Sequence, residues 1–231
     1  MNNYIIWNGK DSRDIDGLII CDLPPISKPK MRTKITTIDG RDGSIVDELG
    51  YESYTKRITI GITKTNDLDK IIKYFTGKGE IIFSNEPDKY YKVQINNNID
   101  YNRLIRYKKA TIVFYTEPFK YKYREPKFTL NITNQTSYMI TNQGLENSKP
   151  IITLYGSGDV TFTLNGVDIF TVNIDSDYIT IDSEKQEAYK NGTLKNRKMN
   201  GDFPLLKPGI NTITWAGTLT KIIVDPKSRW L

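Results

Sequence analysis

Asp159-Val160-Thr161-Phe162-Thr163-Leu164-Asn165-Gly166-Val167-Asp168-Ile169-Phe170-Thr171-Val172 is the stretch on which the fold turns. Val160, Phe162 and Leu164 share one face of an alternating strand, and the pattern resumes after Asn165-Gly166. An Asn-Gly pair between alternating runs is the strongest short-range hairpin signal, because both central residues of the tight turn need positive φ. The surroundings repeat the theme. Phe128-Thr129-Leu130-Asn131-Ile132 and Ile151-Ile152-Thr153-Leu154-Tyr155 alternate, and Gly156-Ser157-Gly158-Asp159 reads as a hairpin-like turn. Gln186-Glu187-Ala188-Tyr189 precedes a second tight-turn candidate, Asn191-Gly192. Pro208-Gly209 predicts a type II turn before a last hairpin, Ile210 to Trp215 and Leu219 to Val224. Many short strands without a helical pattern among them predict a β-sandwich or jelly roll after Pro126.

Upstream, the pattern is mixed. Tyr4 to Trp7, Leu18 to Ile20, Lys34 to Ile38 and Ser44 to Val46 read as strands, and Gly40-Arg41-Asp42-Gly43 brackets a charged pair between two glycines. Arg57 to Thr63 alternates with Ile58, Ile60 and Ile62 on one face. Leu68, Ile71, Ile72 and Phe75 then fall at helical spacing, with Asn66 or Asp67 as cap and Gly77 and Gly79 as stop. Glu80 to Phe83, Tyr91 to Ile95 and Ala110 to Tyr115 return to strand. The polar, aromatic stretch from Lys120 to Pro126 reads as a boundary, which predicts domains at 1–125 and 126–231.

Composition narrows the chemistry. The 231 residues contain no histidine and one cysteine. The usual triad base, the HExxH zinc site and the commonest general acid/base near neutrality are therefore missing. Cys21 lies in the apolar run Leu18-Ile19-Ile20-Cys21, where a buried thiol is expected. Alone, it builds neither an intrachain disulfide nor a cysteine zinc cage. No segment approaches the ~20 apolar residues of a membrane helix, and the first residues carry no basic leader. The expectation is no cofactor, no metal, no membrane and no enzyme.

The net charge of +6 raises the question of nucleic acid. Through Glu125 there are 22 Lys+Arg against 17 Asp+Glu, and afterwards 11 against 10. Acidic residues interrupt the excess throughout, whereas a phosphate-binding surface clusters its basic residues. The densest cluster, Arg103 to Lys109, has strand-like spacing and reads as a solvated face or protein contact. Tyr121 and Tyr123 alternate with lysines, and read as a linker or edge strand rather than base-stacking platforms.

Phosphate loops of the GxxxxGK[ST] and GxGxxG types do not occur. Carboxylates are the remaining catalytic groups. Asp175, Asp177, Asp182, Glu184 and Glu187 crowd together in sequence, yet the EF-hand spacing is not met. They read as a solvated loop and strand edge.

The order of motifs carries the reading further. Gly40-Arg41-Asp42-Gly43, the strand and helix after Tyr54, and Phe114-Tyr115-Thr116-Glu117-Pro118-Phe119 are followed by Asn142-Gln143-Gly144-Leu145-Glu146-Asn147-Ser148-Lys149-Pro150. Next come Tyr178-Ile179-Thr180-Ile181-Asp182, Asn196, Met199-Asn200-Gly201-Asp202-Phe203-Pro204-Leu205 and Pro208-Gly209-Ile210-Asn211. Over nearly its whole length the chain resembles the distal tail protein family of siphophages, the phages with long non-contractile tails.

The resemblance implies a mainly β protein. Its N-terminal part would be a tail-tube-like split barrel or sandwich with one flanking helix, and its C-terminal part a galectin-like β-sandwich at the periphery. Copies would close into a hexameric hub ring, single or in two stacked rings, around a channel through which DNA passes without being gripped. The partners implied are the tail-tube protein, the tape-measure protein, and a tail-associated lysin or receptor-binding protein. The location implied is the virion tail tip, or a prophage product, made in the bacterial host cytoplasm. A ring that closes by rotation needs a heterologous interface, and pairing between subunits protects exposed strand edges. Gly40, Arg41, Asp42, Gly43 and Val46 are the candidate assembly contacts. Asn165, Gly166, Gly201, Asp202, Phe203, Pro204, Pro208 and Gly209 are the turns that define the fold, Phe203 being an aromatic pinned against the sandwich. Competing readings are a carbohydrate-binding module using Trp215 or Tyr189, a carboxylate-only glycosidase, and the tube protein itself. Galectin-type sugar binding relies on a histidine that this chain lacks.

Overall fold

The computed structural model describes residues 3–63, 68–95, 99, 101–132 and 135–231; Asn66 and Asp67, the expected helix caps, lie outside them. The fold is mainly β, as the alternation predicts. It divides into two compact units, Met1–Tyr123 with Leu231, and Arg124–Trp230.

The first unit opens with β1 (Ile5–Trp7), β2 (Lys10–Asp11) and β3 (Leu18–Asp22). After them come β4 (Met31–Thr37), β5 (Ser44–Tyr51), β6 (Tyr54–Ile62) and α1 (Leu68–Tyr74). It closes with β7 (Lys78–Phe83), β8 (Lys89–Ile95), α2 (Tyr101–Tyr107) and β9 (Lys109–Lys122). One antiparallel sheet runs in the order β2-β1-β7-β8-β9-β6-β3. Strand β6 lies beside β9 with Ile58 opposite Ile112 and Ile60 opposite Ala110. The isoleucine face of β6 packs with Phe114, Ile81, Phe83, Ile5 and Trp7; α1 adds Ile71 and Tyr74 to the same core, and Phe75 joins them just past the helix end. Helix α1 keeps the predicted stripe, and Gly77, at φ +93, turns the chain back into β7.

A second short helix accompanies the expected one. The basic cluster at 103–109, spaced like a strand, is helical through Tyr107. Over seven residues one buried anchor fits either period, and that anchor is Leu104, fully enclosed by the core. Lys108, at φ +60, ends the helix, and its carbonyl accepts the Ile62 N–H at 3.2 Å. Ile105, Arg106, Tyr107, Lys108 and Lys109 are exposed, so the basic residues there do form a solvated face.

The second unit comprises β10 (Phe128–Asn131), β11 (Ser137–Asn142), β12 (Ile151–Leu164), β13 (Val167–Ile174) and β14 (Tyr178–Asp182). It continues with β15 (Glu187–Lys190), β16 (Thr193–Leu194), β17 (Met199–Gly201) and β18 (Gly209–Asp225). Two long strands organise it. The first half of β12 lies between β14 and the end of β18, while its second half lies between β13 and the start of β18. Leu130, Ile152, Leu154, Ile179 and Ile222 from one layer meet Ile140, Phe162, Phe170, Val172 and Ile213 from the other in a single core.

Here the sequence expectation is corrected twice. Gly156-Ser157-Gly158-Asp159 is not a hairpin turn but a corner inside β12, and Ile210 to Val224 is one strand, not a hairpin. The corners are opposite one another, where the ladder slips between Tyr155 and Thr161. A Cβ on Gly156 would sit 2.1 Å from the Thr218 carbonyl oxygen, and one on Gly217, at φ +104, 2.3 Å from that of Asp159. Glycine lets the two backbones touch where both strands pass from one layer to the other.

Candidate assembly surface

Among the described residues, strands β4 and β5 pair only with each other. The register sets Thr33 against Glu48, Lys34 against Asp47, Ile35 against Val46, Thr36 against Ile45 and Thr37 against Ser44. Every residue from Arg32 to Gly50 is exposed. This includes five large aliphatics: Ile35 at 65% exposure, Val46 at 55%, Leu49 at 53%, Ile38 at 46% and Ile45 at 38%. Alternation places Ile35 and Val46 on one face and Ile45 and Leu49 on the other, so neither face has a core beneath it. An isolated two-stranded hairpin is marginal in water. The arm therefore presents both of its faces and both of its edges for something else to cover.

The predicted assembly residues all belong to this arm. Gly40 and Gly43, at φ +82 and +81, turn its tip. The Arg41 N–H donates to the Ile38 carbonyl at 3.1 Å, and the Arg41 and Asp42 side chains point into solvent. Val46 stands in mid-strand, opposite Ile35.

The arm's root is tied to the sheet by groups that the sequence reading passed over. Lys56 on β6 is only 3% exposed, and its ammonium donates to the Pro25 carbonyl at 3.1 Å. It also lies 4.7 Å from the Tyr91 ring centre and 5.4 Å from that of Tyr54. Asn85 Nδ2 donates to the neighbouring Pro24 carbonyl at 3.0 Å. Behind them, Glu86 accepts from the Tyr91 hydroxyl and from Lys120 Nζ, the latter at 2.7 Å. Burial pulls the Lys56 ammonium down to about 8; Glu86 opposes the shift and Lys120 adds to it. Burial, with Glu86 nearby, pushes the Tyr54 hydroxyl up to about 12. A signal for Lys56 was present: it stands two residues before Ile58, in phase with the buried face.

The other predicted residues belong to the second unit's framework. Asn165 and Gly166, at φ +52 and +79, join Leu164 to Val167 in a two-residue turn. Gly201, at φ +114, has no room for a Cβ against the Ile169 carbonyl, and the Asp202 N–H donates to that same oxygen at 2.9 Å. Phe203 packs partly buried on the core, Pro204 is buried, and Gly209, after Pro208, has φ +85. Asn142 ends β11. It is buried, donates to the Glu146 and Leu206 carbonyls at 3.0 Å each, and accepts the Gly144 N–H at 2.9 Å.

The residues behind the competing readings are engaged elsewhere. Asp175 pairs with Lys195 at 3.3 Å and Lys198 at 3.8 Å, and Asp177 pairs with Lys190. Asp182, buried rather than solvated, caps a turn by accepting the Glu184 and Lys185 N–H groups. Among the described residues no group of three or more acidic or cysteine side chains is arranged to hold a metal, and no helix is long and apolar enough to cross a membrane. Trp215 stacks on Tyr138 with ring centres 6.2 Å apart.

No protein-family profile matches the chain, and no curated protein does. Solved structures do. The SPP1 Dit protein, described as a paradigm of the hub adsorption apparatus in phages infecting Gram-positive bacteria, matches with a TM-score of 0.74 at 16% identity, covering 100% of both chains. A chain of the phage P2 baseplate in its activated conformation with calcium aligns over 97% of this chain and 98% of its own, at 9% identity and a TM-score of 0.49. The chain thus has the fold of the SPP1 hub protein over its entire length.

Proposed function

We propose that this chain is a structural, non-enzymatic subunit of a siphophage tail tip, acting as a distal tail protein. Six copies close into a hub ring, single or doubled, that joins the tail tube to the baseplate or host-recognition apparatus. The ring leaves a channel for DNA in transit. Residues 1–125 form the ring, with the β4–β5 arm as its reaching element, and residues 126–231 form the periphery. The observation that carries this reading is the end-to-end likeness to the SPP1 hub protein. The arm supports it, because a hairpin with aliphatic residues on both faces gains stability when a neighbouring subunit covers it. The partners follow the same reading: tail-tube protein on one side, tape-measure protein within, lysin or receptor-binding protein on the other side.

Light scattering on purified protein, followed by negative-stain microscopy, tests the reading. The expected result is a mass of six or twelve chains and closed rings with a central hole. A monomer across a wide range of salt and protein concentration, with the tail-tube protein also added, overturns it.

A further inference from the structure

The arm leaves the sheet through Leu23-Pro24-Pro25-Ile26: Leu23 packs partly buried on the core, Pro24 is buried, and Pro25 and Ile26 are exposed. The two proline carbonyls are the fixed points. Pro25 is held by Lys56 and Pro24 by Asn85, from strand β6 and from the turn after β7. On the return side, the Glu52 N–H donates to the Lys30 carbonyl at 2.8 Å, which closes the arm on itself, and Tyr51 meets Phe119 edge-on at 6.0 Å.

Lys56 occupies a place where the alternation of β6 calls for an aliphatic side chain. Burying an ammonium is costly unless it is paired or hydrogen-bonded. A hydrophobic residue would fill the slot beneath Tyr54, Phe83 and Tyr91 without that cost. It would not, however, donate a hydrogen bond to Pro25. Glu86 and Lys120 face the same slot from the turn after β7 and from β9, so the ammonium meets one carboxylate and one further cation there, and its direct partner is the Pro25 carbonyl.

We propose that Lys56 is a positioning residue for the arm: its ammonium, clasped on the Pro25 carbonyl inside the Tyr54–Phe83–Tyr91 box, sets the direction in which the hairpin leaves the sheet, with Asn85 on Pro24 as the second point. The proposal deepens the assembly reading, since a pre-aimed arm loses less freedom when it docks. It concerns the free chain, so its test does not depend on ring formation.

The measurement is the distance distribution between nitroxide labels at Asp42→Cys on the arm tip and Glu80→Cys on the sheet, in a Cys21→Ser background. Labelled chain is diluted into unlabelled chain, and the monomeric fraction is used. With Lys56 in place a single narrow distribution is expected. Lys56→Met, which keeps the volume and removes the donor, is expected to at least double its width while the thermal midpoint holds or rises. Should Lys56→Met fail to fold, Asn85→Ala cuts the second tie from a partly exposed position and is expected to broaden the distribution by a smaller amount. A folded Lys56→Met, or in its stead Asn85→Ala, with the original narrow distribution overturns the proposal. So does a parent distribution already as broad as the variant's. Loss of ring assembly with an unchanged distribution also counts against the clasp while leaving the hub reading standing.

Discussion

Ile35 and Val46 face each other across the arm, on adjacent strands, and both are more than half exposed. A cross-strand aliphatic pair of this kind ordinarily lies over a core. Here the described residues supply none, and in the proposed assembly the pair marks the surface that a neighbour would cover.

Replacing both residues, Ile35→Asp with Val46→Lys, should therefore separate folding from assembly. Surface changes of this type usually stay within about 0.5 kcal/mol, so the thermal midpoint should move little. Ring formation, followed by light scattering, should fall at least tenfold in apparent association constant. Undiminished rings would remove the arm from the interface.

Arg41 at the arm tip is held between two left-handed glycines with its side chain in solvent. Arg41→Glu should leave the circular dichroism spectrum unchanged and weaken ring or tail assembly, most visibly at low ionic strength where charge contacts are least screened. Assembly identical to the parent at 20 mM salt would show that the tip makes no charged contact.

Gly217→Ala tests the corner of the second unit. The new Cβ would meet the Asp159 carbonyl at 2.3 Å, at a φ that side chains avoid. Strained backbone alone costs about 1–3 kcal/mol, so a loss of at least about 2 kcal/mol is expected in urea unfolding. Gly40→Ala in the open arm tip has a positive φ but no clash, and should cost clearly less.

Glu125 provides a pH test. One carboxylate oxygen accepts the Ser228 N–H at 2.8 Å, and the other is buried with no hydrogen-bond partner. Burial raises its pKa, Ser228 lowers it, Asp225 raises it and Lys227 lowers it, with a net upward shift. The folded chain then holds this proton more tightly than the unfolded chain. Its contribution is complete below the ordinary carboxylate value and is lost as pH rises through the raised one. Melting curves of the parent and of Glu125→Gln between pH 3.5 and 7 should show the parent losing stability relative to the variant across that window. Parallel curves would mean that the carboxyl is solvated.

Much of the fold was legible wherever a residue type has a single backbone meaning. Asn165-Gly166 had to be a tight turn, and Ile58, Ile60 and Ile62 had to share a face. The continuity of β12 and β18 was not legible, because glycines that permit a corner are the same glycines that permit a turn. Strand β11 was missed because Ser137, Thr141 and Asn142 interrupt its apolar residues. For the arm, the strands and tip could be read, but not their exposure: alternation reports which residues share a face, not whether anything lies on it. Lys56 was hidden for the converse reason, since a charge in an apolar phase is invisible when only apolar residues are counted.

The two bent strands give the second unit a mechanical character. Its layers are not two sheets held by contact alone; β12 and β18 run covalently through both. A pull that would slide one layer from the other must instead straighten two backbones at Gly156 and Gly217 and break hydrogen bonds on both sides together. The sandwich has no seam between its layers along which it can be peeled.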